Sequence, residues 1–385
     1  MVNFKSSIPD YVKRILTTLE NNGFDAYVVG GCVRDYFLSH PTNDWDVCTS
    51  ALPEEVKKTL SGFHTVDTGI SHGTVTAVID GNTCEITTFR REEGYSDHRH
   101  PDFVSFTSEI EEDLKRRDFT VNAMAFSLKK GFFDPFSGRK DLDNKLIRCV
   151  GNAYDRFNED ALRIIRALRF SSCLGFKIET ETKNAILTLF PSLEFVANER
   201  ISAELRRLLC GDMAACIISE FKPVFEFIFK TDITPLTERT SLSKDFCVRL
   251  SHIISHLSPQ TAANTLRRLK FDNQTIKTVC FLLENKYLEL CDDKIEAKKS
   301  LSAFGRENLY LLSDFILAEE SSAYKKRADE LPVITLSELD ISGNDLISHG
   351  VAPGKDIRDL LTKALMSVLE EKCPNNKEDL LKFIL

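Results

Sequence analysis

In the first part of the chain the apolar positions switch repeatedly between helical and alternating spacing, which predicts interleaved helices and strands. Ser7 followed by Asp10, with Ile8, Val12, Ile15, Leu16 and Leu19 at helical spacing, predicts a capped amphipathic helix ending near Gly23. Phe24 to Val29 is β-branched and aromatic and predicts a strand, and Gly30-Gly31 then lets the backbone turn and approach a ligand without a Cβ in the way. Cys32 to Leu38 predicts a short helix whose first amides could face a phosphate. Asp44-Trp45-Asp46-Val47 opens a second strand, and Leu52 to Gly62 a further helix. Thr74 to Asp80 and Thr83 to Phe89 alternate and predict a hairpin joined at Gly81-Asn82.

The pattern then changes character. Glu92 to Pro101 has turn and charge composition without a period and predicts a mobile loop, in which His98 and His100 are solvated side chains rather than a metal pair. The spacing of Arg117, Asp118 and Asn122 predicts that they share one side of a helix start, with Phe119, Ala123 and Phe126 turned to the core. From Tyr154 the chain reads helical. Asp160, Arg163, Arg166 and Arg169 recur every three residues as a slowly turning polar ridge, and Ala197 to Cys210 predicts a supporting helix. Beyond Gly211 moderately amphipathic helices are broken at Pro223, Pro235, Pro259 and Pro332, without a strand pattern strong enough for a second sheet.

Composition narrows the class. A chain of 385 residues can bury sizeable cores in two or more domains. Its 11 cysteines lie far apart, with no C-x-x-C and no zinc-like Cys/His spacing, so they read as mostly buried thiols of a reducing cytoplasm. No stretch approaches the roughly 18 apolar residues of a membrane span, so no membrane partner is expected. A net charge of −8 argues against indiscriminate coating of nucleic acid, but the charge is segregated. Glu92 to Asp113 holds eight acids and one base, Arg99, whereas Leu114 to Phe170 holds 13 Lys and Arg against seven acids. Such segregation suits a locally positive cleft or, equally, a set of solvated faces.

The candidate chemistry starts from Asp44 and Asp46. Residues two apart on a strand point to one side, and two carboxylates held that close raise each other's pKa unless a cation sits between them. Divalent Mg²⁺ is the natural choice, since it prefers carboxylate oxygens shared with substrate phosphates. Glu85, on the opposite face of its strand from Cys84 and Ile86, is a candidate third acid. Arginine suits triphosphate oxygens, and Asp and Asn suit ribose hydroxyls, which makes Arg117, Asp118 and Asn122 candidate nucleotide contacts. An Asp-rich turn, a capped helix with surface ion pairs and a salt-bridged helix face remain the plain alternatives.

Taken together the motifs resemble the class II tRNA nucleotidyltransferases, the CCA-adding enzymes and bacterial poly(A) polymerases of the polymerase β superfamily. Gly30-Gly31-x-x-Arg34-Asp35 with Asp44-x-Asp46 resembles the family's metal motif, Arg116-Arg117-Asp118-Phe119-Thr120-x-Asn122 its ribose motif, and Glu159-Asp160-x-x-Arg163-x-x-Arg166 its base-selecting motif. Glu199-Arg200-Ile201 resembles the supporting helix, and Ile341 to Leu346 with Pro353-Gly354 the tail of bacterial CCA-adding enzymes.

The resemblance implies an α+β fold: a polymerase β-like head with a small mixed sheet over 1–140, then a helical neck over 141–210, a body over 211–300 and a tRNA-binding tail over 301–385. It also implies two Mg²⁺ ions on Asp44 and Asp46, phosphate contacts from Gly30, Gly31 and Arg34, sugar contacts from Arg117, Asp118 and Asn122, and base reading by Asp160 and Arg163 beside Arg166 and Arg169. The implied reaction adds CCA to the 3′ end of tRNA from CTP and ATP. Addition of CC or A alone, poly(A) synthesis, and a non-catalytic RNA-binding protein are the rivals. The loop-like Glu92 to Phe106 favours CCA or A addition, because CC-only members lack it. The acidic pair speaks against a non-catalytic scaffold.

Overall fold

In the computed structural model, residues 4–42, 44–69, 73–95, 101–290 and 293–385 are described. The chain divides into two compact units, Met1–Ile228 and Phe229–Leu385.

The first unit opens with α1 (Phe4–Ser7) and α2 (Asp10–Asn21). The predicted Ser7 cap does not form, because Ser7 closes α1; extended Pro9 precedes α2, with no side-chain cap. Strand β1 (Ala26–Val29), α3 (Gly31–Phe37), β2 (Asp46–Thr49) and α4 (Pro53–Thr59) follow, then β3 (His64–Gly69), β4 (Thr74–Ile79) and β5 (Asn82–Thr88). The β4–β5 turn centres on Asp80-Gly81 rather than Gly81-Asn82. Both residues take positive φ, 52° and 79°, as a two-residue turn matched to strand twist requires.

A separate ribbon of β6 (Arg90–Glu93) and β7 (Phe103–Phe106) corrects the aperiodic-loop expectation at both ends. Arg90 pairs with Phe106 and Glu93 with Phe103. Backbone pairing needs no apolar pattern, and Arg90-Arg91-Glu92-Glu93 has none to read. His98 and His100 lie outside the described residues. The chain continues through α5 (Ile110–Lys115), β8 (Ala125–Ser127), β9 (Gly131–Phe133) and α6 (Gly138–Asp143).

The main sheet has the order β3-β4-β5-β2-β1-β8-β9. Only β2 and β5 run parallel; its other neighbours are antiparallel, so the expected small mixed sheet is present. Central β1 is buried throughout and shares its core with Cys48, Phe89, Ile110, Leu114 and Val150. Its last residue, Val29, pairs with Asp46 on one side and Ala125 on the other. That register delivers Gly30, Asp46 and the segment before Ala125 to one place.

Helices α7 (Ala153–Glu159), α8 (Leu162–Leu174), α9 (Thr180–Leu189) and α10 (Asn198–Leu209) complete most of the unit, before Ala214–Glu220 and Lys222–Phe229. The polar ridge is therefore interrupted: Asp160 sits in extended backbone between α7 and α8, and only the three arginines ride on α8. Asp160 Oδ1 accepts from the Leu162 amide at 3.1 Å, which favours a break over a continuous helix. Helices α8 and α10 meet closely at their ends. Ser172 Oγ donates to Leu208 O at 2.7 Å, and a Cβ on Gly211 would lie 2.3 Å from that same Oγ.

The second unit contains helices over Phe246–Ile253, Pro259–Arg268, Asn273–Glu284, Lys294–Phe304, Arg306–Ile316, Ser321–Asp329, Gly343–Ser348, Lys355–Leu369 and Lys377–Ile384. Pro223 and Pro259 mark the expected breaks by standing at the starts of the following helices, where a missing N–H costs nothing. One apolar cluster gathers Leu301, Leu309, Tyr324 and Ala328, and another runs from Leu339 to Ile384. Among the described residues no helix is long and apolar enough to cross a membrane. No disulfide joins the described cysteines; Cys32, Cys48, Cys84, Cys149 and Cys373 are buried, whereas Cys173, Cys210 and Cys216 reach the surface.

Candidate active site

The acidic end of the site lies at the entry to β2. Asp44 is exposed, Trp45 buried and Asp46 half-buried, as the alternation requires. The Asp46 carboxyl is pushed up to about 6, first by burial, then by the Asp44 charge, with Glu85 adding and Arg117 opposing. Glu85 is exposed on β5, the parallel neighbour of β2. It bears on Asp46 as a charge, and among the described residues no group of three or more His, Cys, Asp or Glu gathers in metal-ligand fashion. The donor set is thus two hard oxygen ligands whose mutual repulsion a divalent cation would relieve, which fits Mg²⁺.

Gly30 makes the next contact possible. It takes φ +78°, and a Cβ there would lie 2.9 Å from Arg117 Nη1, so only glycine admits that guanidinium beside the turn. Arg117 Nη2 reaches Asp113 Oδ2 at 3.5 Å, while its buried Nε has no hydrogen-bond partner. A buried, unmet guanidinium N–H next to a glycine turn is suited to an anionic oxygen. At Gly31 a Cβ would meet Arg34 Nη2 at 3.7 Å, an ordinary contact, so the close approach is made at Gly30.

From Arg34 a chain of hydrogen bonds crosses the site. Arg34 Nη1 donates to Asn122 Oδ1 at 2.6 Å, and Asn122 Nδ2 donates to Asp118 Oδ1 at 3.1 Å. Arg166 Nε and Nη2 then donate to Asp118 Oδ2 at 2.9 and 2.6 Å. Beyond them Glu204 Oε1 lies 3.5 Å from Arg166 Nη1, and its Oε2 lies 2.6 Å from Arg169 Nε. The expectation that 117, 118 and 122 begin a helix is corrected: α5 ends at Lys115, and Thr120–Asn122 form a single 3-10 turn. That turn still puts Asn122 on Asp118, because i and i+4 remain close.

Asp118, expected to contact the sugar, is engaged within the protein in this structure. Its carboxylate already accepts from the Phe119 amide, Asn122 and twice from Arg166, which fills the capacity of both oxygens. Burial pushes its carboxyl up, but Arg166, with Asn122 and the Phe119 amide, holds it below the ordinary carboxylate range. It fastens the site together, whereas Asn122 keeps one donor and one acceptor free for a hydroxyl.

Asp160 and Arg163 stand at the start of α8 with part of their capacity spoken for. Arg200 Nη2 donates to Asp160 Oδ2 at 2.9 Å, leaving one acceptor position on that oxygen. Arg163 is buried; its Nη1 donates to Glu159 Oε2 at 2.5 Å and Arg156 O at 3.0 Å, and its Nη2 to Arg116 O at 3.0 Å. Its Nε and one Nη2 hydrogen remain. Asp160 thus keeps an acceptor and Arg163 keeps donors, the two functions that reading an amino group and a bare ring nitrogen requires.

Two supporting acids carried little signal in the sequence. Asp113, fully buried, receives Arg116 at 2.8 Å and Arg117 at 3.5 Å, and its i+3 and i+4 spacing was the available clue. Glu204 holds arginines on another helix, a pairing that no local spacing reveals.

Residues 26–148 match the poly A polymerase head domain, 175–220 the probable RNA- and SrmB-binding site of polymerase A, and 243–384 the putative tRNA nucleotidyltransferase domain 2. The chain is 38% identical to a CCA-adding enzyme of Ligilactobacillus salivarius, over 98% of this chain and 96% of the relative. Identity to a Staphylococcus aureus CCA-adding enzyme is 33%, over 98% of each chain. Among solved structures, the Bacillus stearothermophilus CCA-adding enzyme in complex with CTP superposes with a TM-score of 0.80 at 30% identity, covering 97% of this chain and 95% of that one.

Proposed function

Since the chain belongs to the CCA-adding enzyme family, we propose that it adds CCA to the 3′ end of tRNA from CTP and ATP, without a nucleic-acid template and with release of pyrophosphate. The observation that carries this reading furthest is the unbroken hydrogen-bond chain from Arg34 through Asn122 and Asp118 to Arg166. It links the segments expected to contact phosphate, sugar and base, which supports a single nucleotide site.

Asp44 and Asp46 would hold two Mg²⁺ ions, which when bound supply Lewis acidity toward the RNA 3′-hydroxyl and the triphosphate. The protein's own residues do the rest. Arg34, the unmet Nε of Arg117 and the backbone at Gly30 and Gly31 bind phosphate oxygens, and the missing Cβ of Gly30 gives Arg117 room. Asn122 orients the sugar while Asp118 keeps Asn122 and Arg166 in register. Glu85 adds negative charge near Asp46.

Base choice follows from complementarity. Cytosine and adenine each present an amino donor beside an unprotonated ring nitrogen; uracil and guanine present a carbonyl beside a ring N–H. Asp160 accepts from the amino group and Arg163 donates to the ring nitrogen, so U and G leave both partners unmatched. Arg166 and Arg169 line the same helix and bear on the nucleotide from the α8 side. Thiols without disulfides among the described residues suit a reducing cytoplasm, and the tail over 301–385 is the proposed tRNA-binding segment.

The test supplies tRNA lacking its 3′ CCA, Mg²⁺ and one labelled nucleotide at a time. CTP alone should be incorporated, ATP only after CTP has been used, and neither in excess chelator. Incorporation of ATP alone into that substrate would contradict the reading.

A further inference from the structure

Three guanidinium groups from two separate segments converge on one ring. The guanidinium carbons of Arg34, Arg166 and Arg169 lie 5.2, 5.5 and 4.0 Å from the centroid of Phe170. Phe119, inside the ribose segment, meets the same ring edge-on at 5.7 Å. Phe170 is 7% exposed, so these contacts are made largely out of water, where attraction between a cation and an aromatic quadrupole is strongest. An aliphatic core residue could fill the volume but could not attract three cations that repel one another.

From this geometry we infer that Phe170 is a positioning residue of the nucleotide site. Its ring fixes the guanidinium of Arg34 from α3 relative to those of Arg166 and Arg169 from α8, acting through them and not on the substrate. The inference deepens the nucleotidyl-transfer reading and rests on it. No single carboxylate is shared by the three: Arg34 has Asp35, Arg166 has Asp118 and Glu204, and Arg169 has Glu204. The ring is the element common to all three. Because the cations found on the ring among the described residues are Arg34, Arg166 and Arg169 and not the base-reading Arg163, CTP and ATP should depend on Phe170 alike.

The experiment compares Phe170→Leu, Phe170→Tyr and a ring-fluorinated phenylalanine at the same position, in the full-length protein with tRNA, CTP and ATP. Fluorination weakens the ring quadrupole while keeping its shape, so it decides the matter even if the leucine variant fails to fold. The leucine and fluorinated proteins should show KM for both nucleotides raised roughly tenfold, with kcat changed by less than about twofold. Tyrosine should restore the wild-type values. Unchanged KM in folded leucine and fluorinated proteins, or a rise confined to one nucleotide, would overturn the inference while leaving the enzymatic reading intact. A wild-type protein that incorporates neither nucleotide would overturn both.

Discussion

Arg166 grips Asp118 with two donors, Nε and Nη2, at 2.9 and 2.6 Å from a single carboxylate oxygen. The pair joins α8 to the turn that carries Asn122, and Asp118 is 8% exposed. Removing one partner strands a buried charge. Arg166→Leu should therefore lose roughly 3–5 kcal/mol of unfolding free energy at neutral pH. Asp118→Asn combined with Arg166→Leu should lose less than the sum of the single changes. Denaturant titrations of the four proteins measure both effects. The lowered Asp118 carboxyl also sets a sign: its stabilisation is present above the ordinary carboxylate range and is lost as pH falls through the lowered value.

Gly30→Ala tests the close approach of Arg117. A Cβ at φ +78° is strained and would sit 2.9 Å from Nη1, so the guanidinium must move away from the turn. The strain should cost about 1 kcal/mol, measured by thermal unfolding. CTP affinity, measured by calorimetry, should fall roughly tenfold, as expected for loss of a charge-assisted contact.

Asp46 predicts a pH dependence of opposite sign to Asp118. Its folded-state carboxyl is raised to about 6, so the native protein binds more protons than the unfolded chain between the ordinary carboxylate range and that value. In chelator, stability should decline as pH rises through that window, by up to about 2 kcal/mol after allowance for partial exposure. Asp46→Asn should flatten the decline while abolishing nucleotide incorporation. Added Mg²⁺ should restore wild-type stability above pH 6 but not alter the variant.

Asp160→Ala and Arg163→Ala test base reading. Each should erode the preference for CTP and ATP over UTP and GTP, measured as kcat/KM ratios, by about 1–3 kcal/mol. Intact selection in both variants would remove the assignment. Asp160→Ala also frees Arg200, so Arg200→Ala serves as the control that separates base reading from loss of that ion pair.

Much of the fold was legible because local spacing dictated it. The strand before Gly30-Gly31, the β4–β5 hairpin and α10 each follow from periodicity and punctuation. Errors arose where one residue outweighed the pattern. Pro9 displaced the Ser7 cap, and the Asp160 carboxylate captured the Leu162 amide and split a segment that looked like one helix. Charged β6 was invisible because its pairing is made by backbone. In the site, residue types and spacing singled out Asp44, Asp46, Arg117, Asp118 and Asn122 as candidates, but not the ion pair that Asp118 makes. That depends on Arg166, 48 residues away, whose contact only the folded chain creates. Glu204 and Phe170 escaped for the same reason.

The most direct test supplies tRNA lacking its 3′ CCA with CTP, ATP and Mg²⁺ together in excess, and resolves the product at single-nucleotide length. The account predicts one product, longer by three nucleotides and ending in A, that does not grow with time. A lengthening ladder of A, or a product that stops after C, would contradict it.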